Sequence, residues 1–351
     1  MLFGIFNINR LGVGFIYMQH LQSGLSMTKA IPLIHKTAAI MQLGILKQYV
    51  DDIWPIINEA QLPIYLDSTS AQYIPFRTFA KFLQAVFERL SSQDFITFVQ
   101  QGAERYSKEI APIKQAKTMQ VSLDALGLFL PIQSAKLSSA FLNTKCLQHC
   151  LELTLEDIKP FGFVSELYTI CVAHHYLTQH CSDIKVPSKY HVVSQEKSGL
   201  DKLKISTDTP QFMGQMSTAI FYNSTIETSA SSQQLTWEKT KPPFSKQLSN
   251  ALESYIGRQD LSLEAFSDII GIPVRTIQRH LAQDGSSYRK IKESLNISFA
   301  KRVMVEREVS ISDISGHLGY TDPSQFIRAF RKIENITPLQ WRKQMRTGRK
   351  S

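Results

Sequence analysis

The stretch ISDISGHLGYTDP (311–323), followed at once by SQFIRAF (324–330), decides how this chain is read. Ile311, Ile314 and Leu318 fall at i, i+3 and i+7, a one-sided apolar stripe on a short helix. Gly319 stops that helix, because the turn needs a residue that tolerates positive φ. Pro323 suits the first turn of the next helix, where a missing N–H costs nothing. That second helix carries Phe326 and Phe330 inward and offers Ser324, Gln325 and Arg328 on its other face. The same grammar stands upstream in LEAFSDIIGIP (263–273) and RTIQRHL (275–281). There Leu263, Phe266 and Ile270 form the stripe, Gly271 the stop and Pro273 the restart. Ile277 and Leu281 point inward, and Arg275, Gln278 and Arg279 point outward. Arg and Gln pair bidentately with guanine and adenine edges in the major groove. One helical hairpin of this kind says little; two of them in a basic surround read as a DNA-binding domain.

These residues resemble the AraC/XylS transcriptional regulators, whose DNA-binding domain holds two helix-turn-helix units in one chain. The resemblance is most specific over DISGHLGYTDPSQFIRAFRKIENITPLQWRK (313–343), at Gly319-Tyr320, Phe326, Arg328, Phe330, Thr337-Pro338 and Trp341-Arg342. It extends over the first unit and the connecting stretch DGSSYRKIKESLNISFAKRVM (284–304). It implies that Arg275, Gln278 and Arg279 face bases from one recognition helix, and Ser324, Gln325 and Arg328 from the other. Arg289, Lys290, Lys301, Arg302, Lys332 and Arg342 are expected at phosphates, positioning without specifying. Ser267 and Ser315 stand where the family usually has Ala, and Asn296 where it commonly has Arg.

Charge agrees with this assignment. The chain of 351 residues carries a net charge of +9. Residues 246–351 hold 18 Lys and Arg against 11 Asp and Glu, so most of that excess lies in the last third, as a polyanion binder requires. A chain of this length holds two or three domains. The expected fold is mainly α: a mixed, mostly helical front domain over 27–228, a linker over 229–244, an all-α domain of two helix-turn-helix units joined by a helix over 245–345, and a basic tail over 346–351. Residues 1–26 read as an upstream extension, with Met27 as the expected start. Asn7, Asn9 and Arg10 interrupt any signal-peptide core there.

In the front region, PFRTFAKFLQAVFERL (75–90) places Phe76, Phe79, Phe82, Leu83, Val86 and Phe87 on one broad helical face, a core stripe. LGLFLPIQ reads as a loop, and KLSSAFLNTKCLQHCLEL (136–153) as a further helix. KYHVVSQ and KLKISTDT are short alternations expected as strands, and AIFYNSTIE as a strand or a helix end. The front region also resembles, at domain level, the helical arabinose-binding-like effector domain of the family branch that includes ornithine-utilisation regulators. The matching pieces are AIPLIHKTAAIM, INEAQLP and the Phe-rich helix.

Cys146, His149 and Cys150 stand at i, i+3, i+4, as do Cys171, His174 and His175, with His180 and Cys181 nearby. On two adjacent helices these would converge on zinc or a redox pair; as free thiols in a reducing compartment they are ordinary core. The cysteine usage implies a cytoplasmic setting. No Gly-rich phosphate loop, G-x-S-x-G elbow or HExxH is present, so no enzyme is expected and no catalytic residue is assigned. No apolar run reaches the length of a membrane span. The expected function is sequence-specific regulation of transcription, controlled by a small-molecule effector of unknown identity in the front domain, with no other cofactor. The family resemblance implies activation, a homodimer and contact with RNA polymerase. Two alternatives stay open: a sequence-tolerant architectural DNA binder, and a metal or redox sensor built on Cys146, Cys150, Cys171 and Cys181.

Overall fold

In the computed structural model, the described residues are 30–64, 66, 70–110, 119–143, 146–156, 161–180, 185–195, 205–206, 208–225, 234–258 and 261–347. The expected extension (1–26), Cys181 and most of the basic tail lie outside them.

The front domain opens with strand β1 (Leu33–His35), which pairs antiparallel with β2 (Tyr73–Pro75), Ile34 opposite Ile74. Between them run α1 (Lys36–Leu46) and α2 (Trp54–Ala60). Asp52 Oδ1 accepts from the Trp54 N–H at 2.9 Å, a local turn that leads into α2. The phenylalanine stripe is α3 (Phe76–Phe87), with Phe76, Phe79 and Phe82 fully buried, as the 3.6-residue period predicts. Phe79 meets Tyr168 edge to face at 4.8 Å, tying α3 to α6 (Gly162–His180). Helices α4 (Ser92–Ile110) and α5 (Met119–Phe129) complete the helical layer.

The front domain is mixed, as expected, but its remaining strands form a six-stranded sheet that is more extensive than the expected short strands. The sheet consists of β3 (Ile132–Asn143), β4 (Cys146–Leu155), β5 (Pro187–His191), β6 (Gln211–Phe212), β7 (Thr218–Thr225) and β8 (Gln234–Glu238). Their order is β6-β5-β7-β4-β3-β8, antiparallel throughout except for the β5–β6 pair. The segment 136–153, expected as a helix, is most of the β3–β4 hairpin, with Leu137 opposite Leu151. Burial repeats at even spacing, at Leu147, Leu151 and Leu153, so one strand face enters the core. LGLFLPIQ is not a loop either: it holds the end of α5 and the start of β3. Of the expected linker 229–244, Gln234–Glu238 pair as edge strand β8 with β3. The Trp237 indole packs onto α5 where Gly127 leaves room, since a Cβ at Gly127 would stand 2.1 Å from it. Glu156 is buried and ion-paired with Lys239.

Placing Cys146, His149 and Cys150 on a strand removes the proposed convergence of two helices on zinc. His149 is instead hydrogen-bonded through Nδ1 to Ser139 (2.8 Å) and through Nε2 to Ser224 (3.0 Å). Among the described residues no group of three or more His, Cys, Asp or Glu is placed to hold a metal ion. Cys146, Cys150 and Cys171 are free thiols, and burial pushes Cys150 up to about 11 and Cys171 up to about 12.

The C-terminal domain is all-helical. Helix α7 (Phe244–Glu253) leads into α8 (Leu263–Ile270) and α9 (Val274–Gln283), the first unit. The long α10 (Tyr288–Glu306) connects to α11 (Ile311–His317) and α12 (Pro323–Glu334), the second unit, and α13 (Pro338–Thr347) closes the domain. Helix α10 serves two cores. Its Ile291 joins Phe266, Ile277 and Leu281, whereas its Ile297, Ala300 and Met304 join Phe326, Phe330 and Trp341. No described helix is long and apolar enough to cross a membrane.

Candidate nucleic-acid interface

Each recognition helix is aimed by a turn whose chemistry the sequence dictates. Ser262 Oγ accepts from the Ala265 N–H (3.1 Å) to start α8, and Gly271 takes φ +68° to end it. In the second unit Ser310 Oγ accepts from the Asp313 N–H (3.0 Å), and Gly319 takes φ +79°. Asp322 Oδ1 then accepts from the Ser324 N–H (2.9 Å) ahead of Pro323, which occupies the first turn of α12.

The two serines that replace the usual alanine differ. Ser267 is buried and donates to the Ile272 carbonyl at 2.7 Å, bracing the turn between α8 and α9. Ser315 is fully buried, and its hydroxyl has no partner among the described residues. Asn296 is buried as well and is a hydrogen-bond partner of Tyr320, the residue after the Gly319 turn. Burial raises the Tyr320 hydroxyl above its ordinary pKa, so the phenol stays neutral and can serve Asn296.

On α9, Ile277, His280 and Leu281 are buried, while Arg275, Gln278 and Arg279 are exposed. On α12, Phe326, Ala329 and Phe330 are buried, while Ser324, Gln325 and Arg328 are exposed. Arg275, Arg279 and Arg328 have no ion pair among the described residues. Three guanidinium forks thus stand open to solvent on two helices, available to a polyanion or a base edge.

The residues expected at phosphates are less uniform. Lys301 donates to both carboxylate oxygens of Glu334 (3.0 and 2.9 Å) and sits over the Trp341 ring at 5.4 Å. Arg342 Nη1 donates to the Val309 carbonyl at 2.7 Å. Arg289 and Lys332 both approach Glu293, at 3.9 and 3.8 Å, and Arg302 lies over the Phe299 ring at 5.3 Å. Lys290 is exposed. Lys301 and Arg342 are therefore fastened within the domain, and Lys290 is the freest of the set.

The junction between the front domain and the first unit is the feature sequence reasoning missed. Ile31 is buried in the first unit's core, with its N–H donating to Gln247 Oε1 at 2.9 Å. Tyr255 Oη donates to the Gln61 carbonyl at 2.8 Å, and Ser70 Oγ to Glu253 at 2.9 Å. Arg77 of α3 lies against the Gly271 turn, where a Cβ would stand 2.7 Å from its Nε. The neighbouring Lys81 ammonium is depressed, first by burial and then by Arg77, and is partly restored by Asp268 of α8. A cavity of about 600 Å³ opens beside this contact, between Gln61, Tyr255 and His317.

Residues 266–344 match the family model described as a helix-turn-helix domain. That segment is thus a helix-turn-helix domain. Over 98 residues the chain is 30% identical to the HTH-type transcriptional activator CfaD of Escherichia coli, and 30% identical to the DNA-binding dual transcriptional regulator Rns of the same organism. Each alignment covers 28% of this chain and 37% of the relative, so the match spans little more than a third of those proteins. The crystal structure of the transcriptional regulator CdpR from Pseudomonas aeruginosa aligns over 88% of this chain and 98% of its own. Its 13% identity and TM-score of 0.31 are too low to place the two in one fold.

Proposed function

We propose that the protein is a sequence-specific DNA-binding regulator of transcription whose front domain takes a small-molecule effector. The observation that carries this reading is the pair of recognition helices, each with its guanidinium side chains exposed and unpaired, inside a domain that matches the helix-turn-helix family. Two heads on one connecting helix suit successive major-groove segments on one DNA face, about 34 Å apart along the axis. Arg275, Gln278 and Arg279 read bases from the first head, and Ser324, Gln325 and Arg328 from the second. Lys290 and Arg289 are the phosphate contacts best placed by their exposure. The name of one relative, a transcriptional activator, supports activation, and contact with RNA polymerase in the cytoplasm is part of the same reading. The front domain is also the natural seat of a homodimer contact. It would act on the heads through its junction with the first unit, by differential affinity of the effector for two arrangements.

Selection of binding sites from random DNA, followed by titration, tests the reading. Arg279→Ala and Arg328→Ala should each weaken the selected site by roughly 1–3 kcal/mol and relax discrimination at one base position. Unchanged discrimination in both variants would remove the base-facing assignment. Failure to select any consensus would leave an architectural DNA binder as the better description.

A further inference from the structure

Helices α4 and α6 and strand β5 enclose a cleft of about 420 Å³ in the front domain, within the size range of small-molecule sites. Its first wall is a polar stripe on α4. Thr97, Gln100, Gln101 and Glu104 stand at i, i+3, i+4 and i+7, opposite the buried face that holds Phe95, Phe98 and Val99. The second wall is α6, which brings His174 and His175 to the cleft beside Cys171. The floor is apolar: Cys171, Pro187 and Ile205 are all buried.

Three polar groups at this cleft have capacity left over. Tyr190 is 2% exposed and lines the cleft, yet its hydroxyl makes no hydrogen bond among the described residues. The Gln101 amide likewise has no partner among them. His174 is held on one side only: Nδ1 meets the Tyr222 hydroxyl at 3.1 Å and the two rings stack at 17°. That leaves Nε2 as the remaining polar atom of a ring that lines the cleft. Burial lowers His174 to about 4, so the imidazole offers a neutral hydrogen-bonding atom near pH 7.

Charge narrows the ligand. Glu104 is already bonded to Lys108 at 2.6 Å, and the Lys185 ammonium sits exposed at the mouth. Among the described residues, no arginine lines the cleft. A charged ligand would lose its hydration here without a buried counter-charge, whereas an uncharged one meets amide, imidazole and phenol groups along the rim and carbon beneath.

We propose that this cleft is the effector site, and that it takes an uncharged, ring-shaped small molecule with one apolar face and a hydrogen-bonding rim. That is the chemistry shared by neutral sugars and uncharged nitrogen heterocycles. The inference rests on reading the front domain as a sensor, and it goes further by naming where and what it senses.

The test uses the full chain in a thermal-shift screen confirmed by calorimetry, at millimolar probe. One arm holds glucose, galactose and xylose; a second holds adenine, uracil and nicotinamide; a third holds glutamate, arginine, citrate and inorganic phosphate. A probe from one of the two neutral arms should raise the melting temperature, and the arm that responds identifies the source. Gln101→Leu and Tyr190→Phe, which keep volume and remove hydrogen-bonding groups, should each weaken that probe at least about tenfold. The ligand-free melting temperatures of both variants should stay near that of the parent. Response to the charged arm alone, no response to either neutral arm, or full affinity in both variants would overturn the proposal. Site selection on the same protein separates the two readings. A sharp DNA consensus with no neutral binder sinks the cleft and leaves the regulator. A neutral binder sensitive to both substitutions, without a consensus, does the reverse.

Discussion

The first helix-turn-helix unit packs Phe266 and Ile277 into a core that also takes Ile31 from the start of the front domain. The second closes Phe326 and Phe330 over Ile297, Met304 and Trp341, with no front-domain residue among its buried members. Both units have a one-sided apolar stripe, a left-handed glycine and an exposed polar face, so the larger difference lies in what surrounds them. The first is gripped through α3 at its turn, through Gln61 at Tyr255 and through Ser70 at Glu253. The second is reached through the C-terminal half of α10 and the close approach of His317 to Gly257. The front domain therefore touches the first unit directly at Gly271, whereas the second unit is joined to it less directly, through α10 and the His317–Gly257 approach. One unit is packed directly against the front domain, the other chiefly against the connecting helix.

Removing each core in turn tests that separation. Phe326→Ala should cost about 3–5 kcal/mol, as loss of a fully buried aromatic does. Hydrogen exchange should then rise over α11, α12 and α13 while α8 and α9 keep their protection. Spread of the loss into α8 would show that the cores act as one. Ile31→Ala should cost less, roughly 2–3 kcal/mol, and in the opposite place. Exchange should rise in α7, α8 and α9 and leave α12 unchanged, and loss of protection in α12 would break the comparison.

The two serines sharpen it at smaller scale. Ser267→Ala removes a buried hydrogen bond to the Ile272 carbonyl and should destabilise the first unit by about 1 kcal/mol. Ser315→Ala removes a buried hydroxyl that has no partner among the described residues, and should stabilise the second by a similar amount. Equal effects of the same sign in denaturant titrations would mean that the turns are braced alike.

What could be read from the sequence was what repeats locally. Gly271 and Gly319 do take positive φ, the phenylalanine stripe of α3 is buried, and the two polar recognition faces are exposed, because each depends on residues within one or two turns. The β3–β4 hairpin was hidden by an arithmetic coincidence. Cys146 and Cys150, like Leu147 and Leu151, stand four apart, which fits one face of a helix and equally one face of a strand. Leu153, two beyond Leu151, was the residue that favoured the strand. Strand β8 lay inside a Ser/Thr/Gln-rich segment, and its partner β3 sits about a hundred residues earlier, so its pairing left no local mark. The junction was out of reach for the same reason: Ser70 to Glu253, Gln61 to Tyr255 and Ile31 to Gln247 are separated by 183, 194 and 216 residues.

Lys301 is where the two ways of reading the chain part most directly. By position it was expected on a phosphate, and a lysine that neutralises one phosphate contributes about 0.9 to the slope of log affinity against log salt. In the folded domain the ammonium is instead held between the Glu334 carboxylate and the Trp341 ring, which links α10 to the end of α12 and to α13. Lys301→Met keeps the stem and removes the charge. If the ion pair is its role, the salt slope of DNA binding should stay the same, and the second unit should lose about 0.5–1 kcal/mol in a denaturant titration, the size of a half-exposed pair with an aromatic neighbour. If the slope falls by about one while stability holds, Lys301 must leave Glu334 on the DNA. The freed carboxylate at the end of α12 would then make the second unit, too, a part that rearranges on binding.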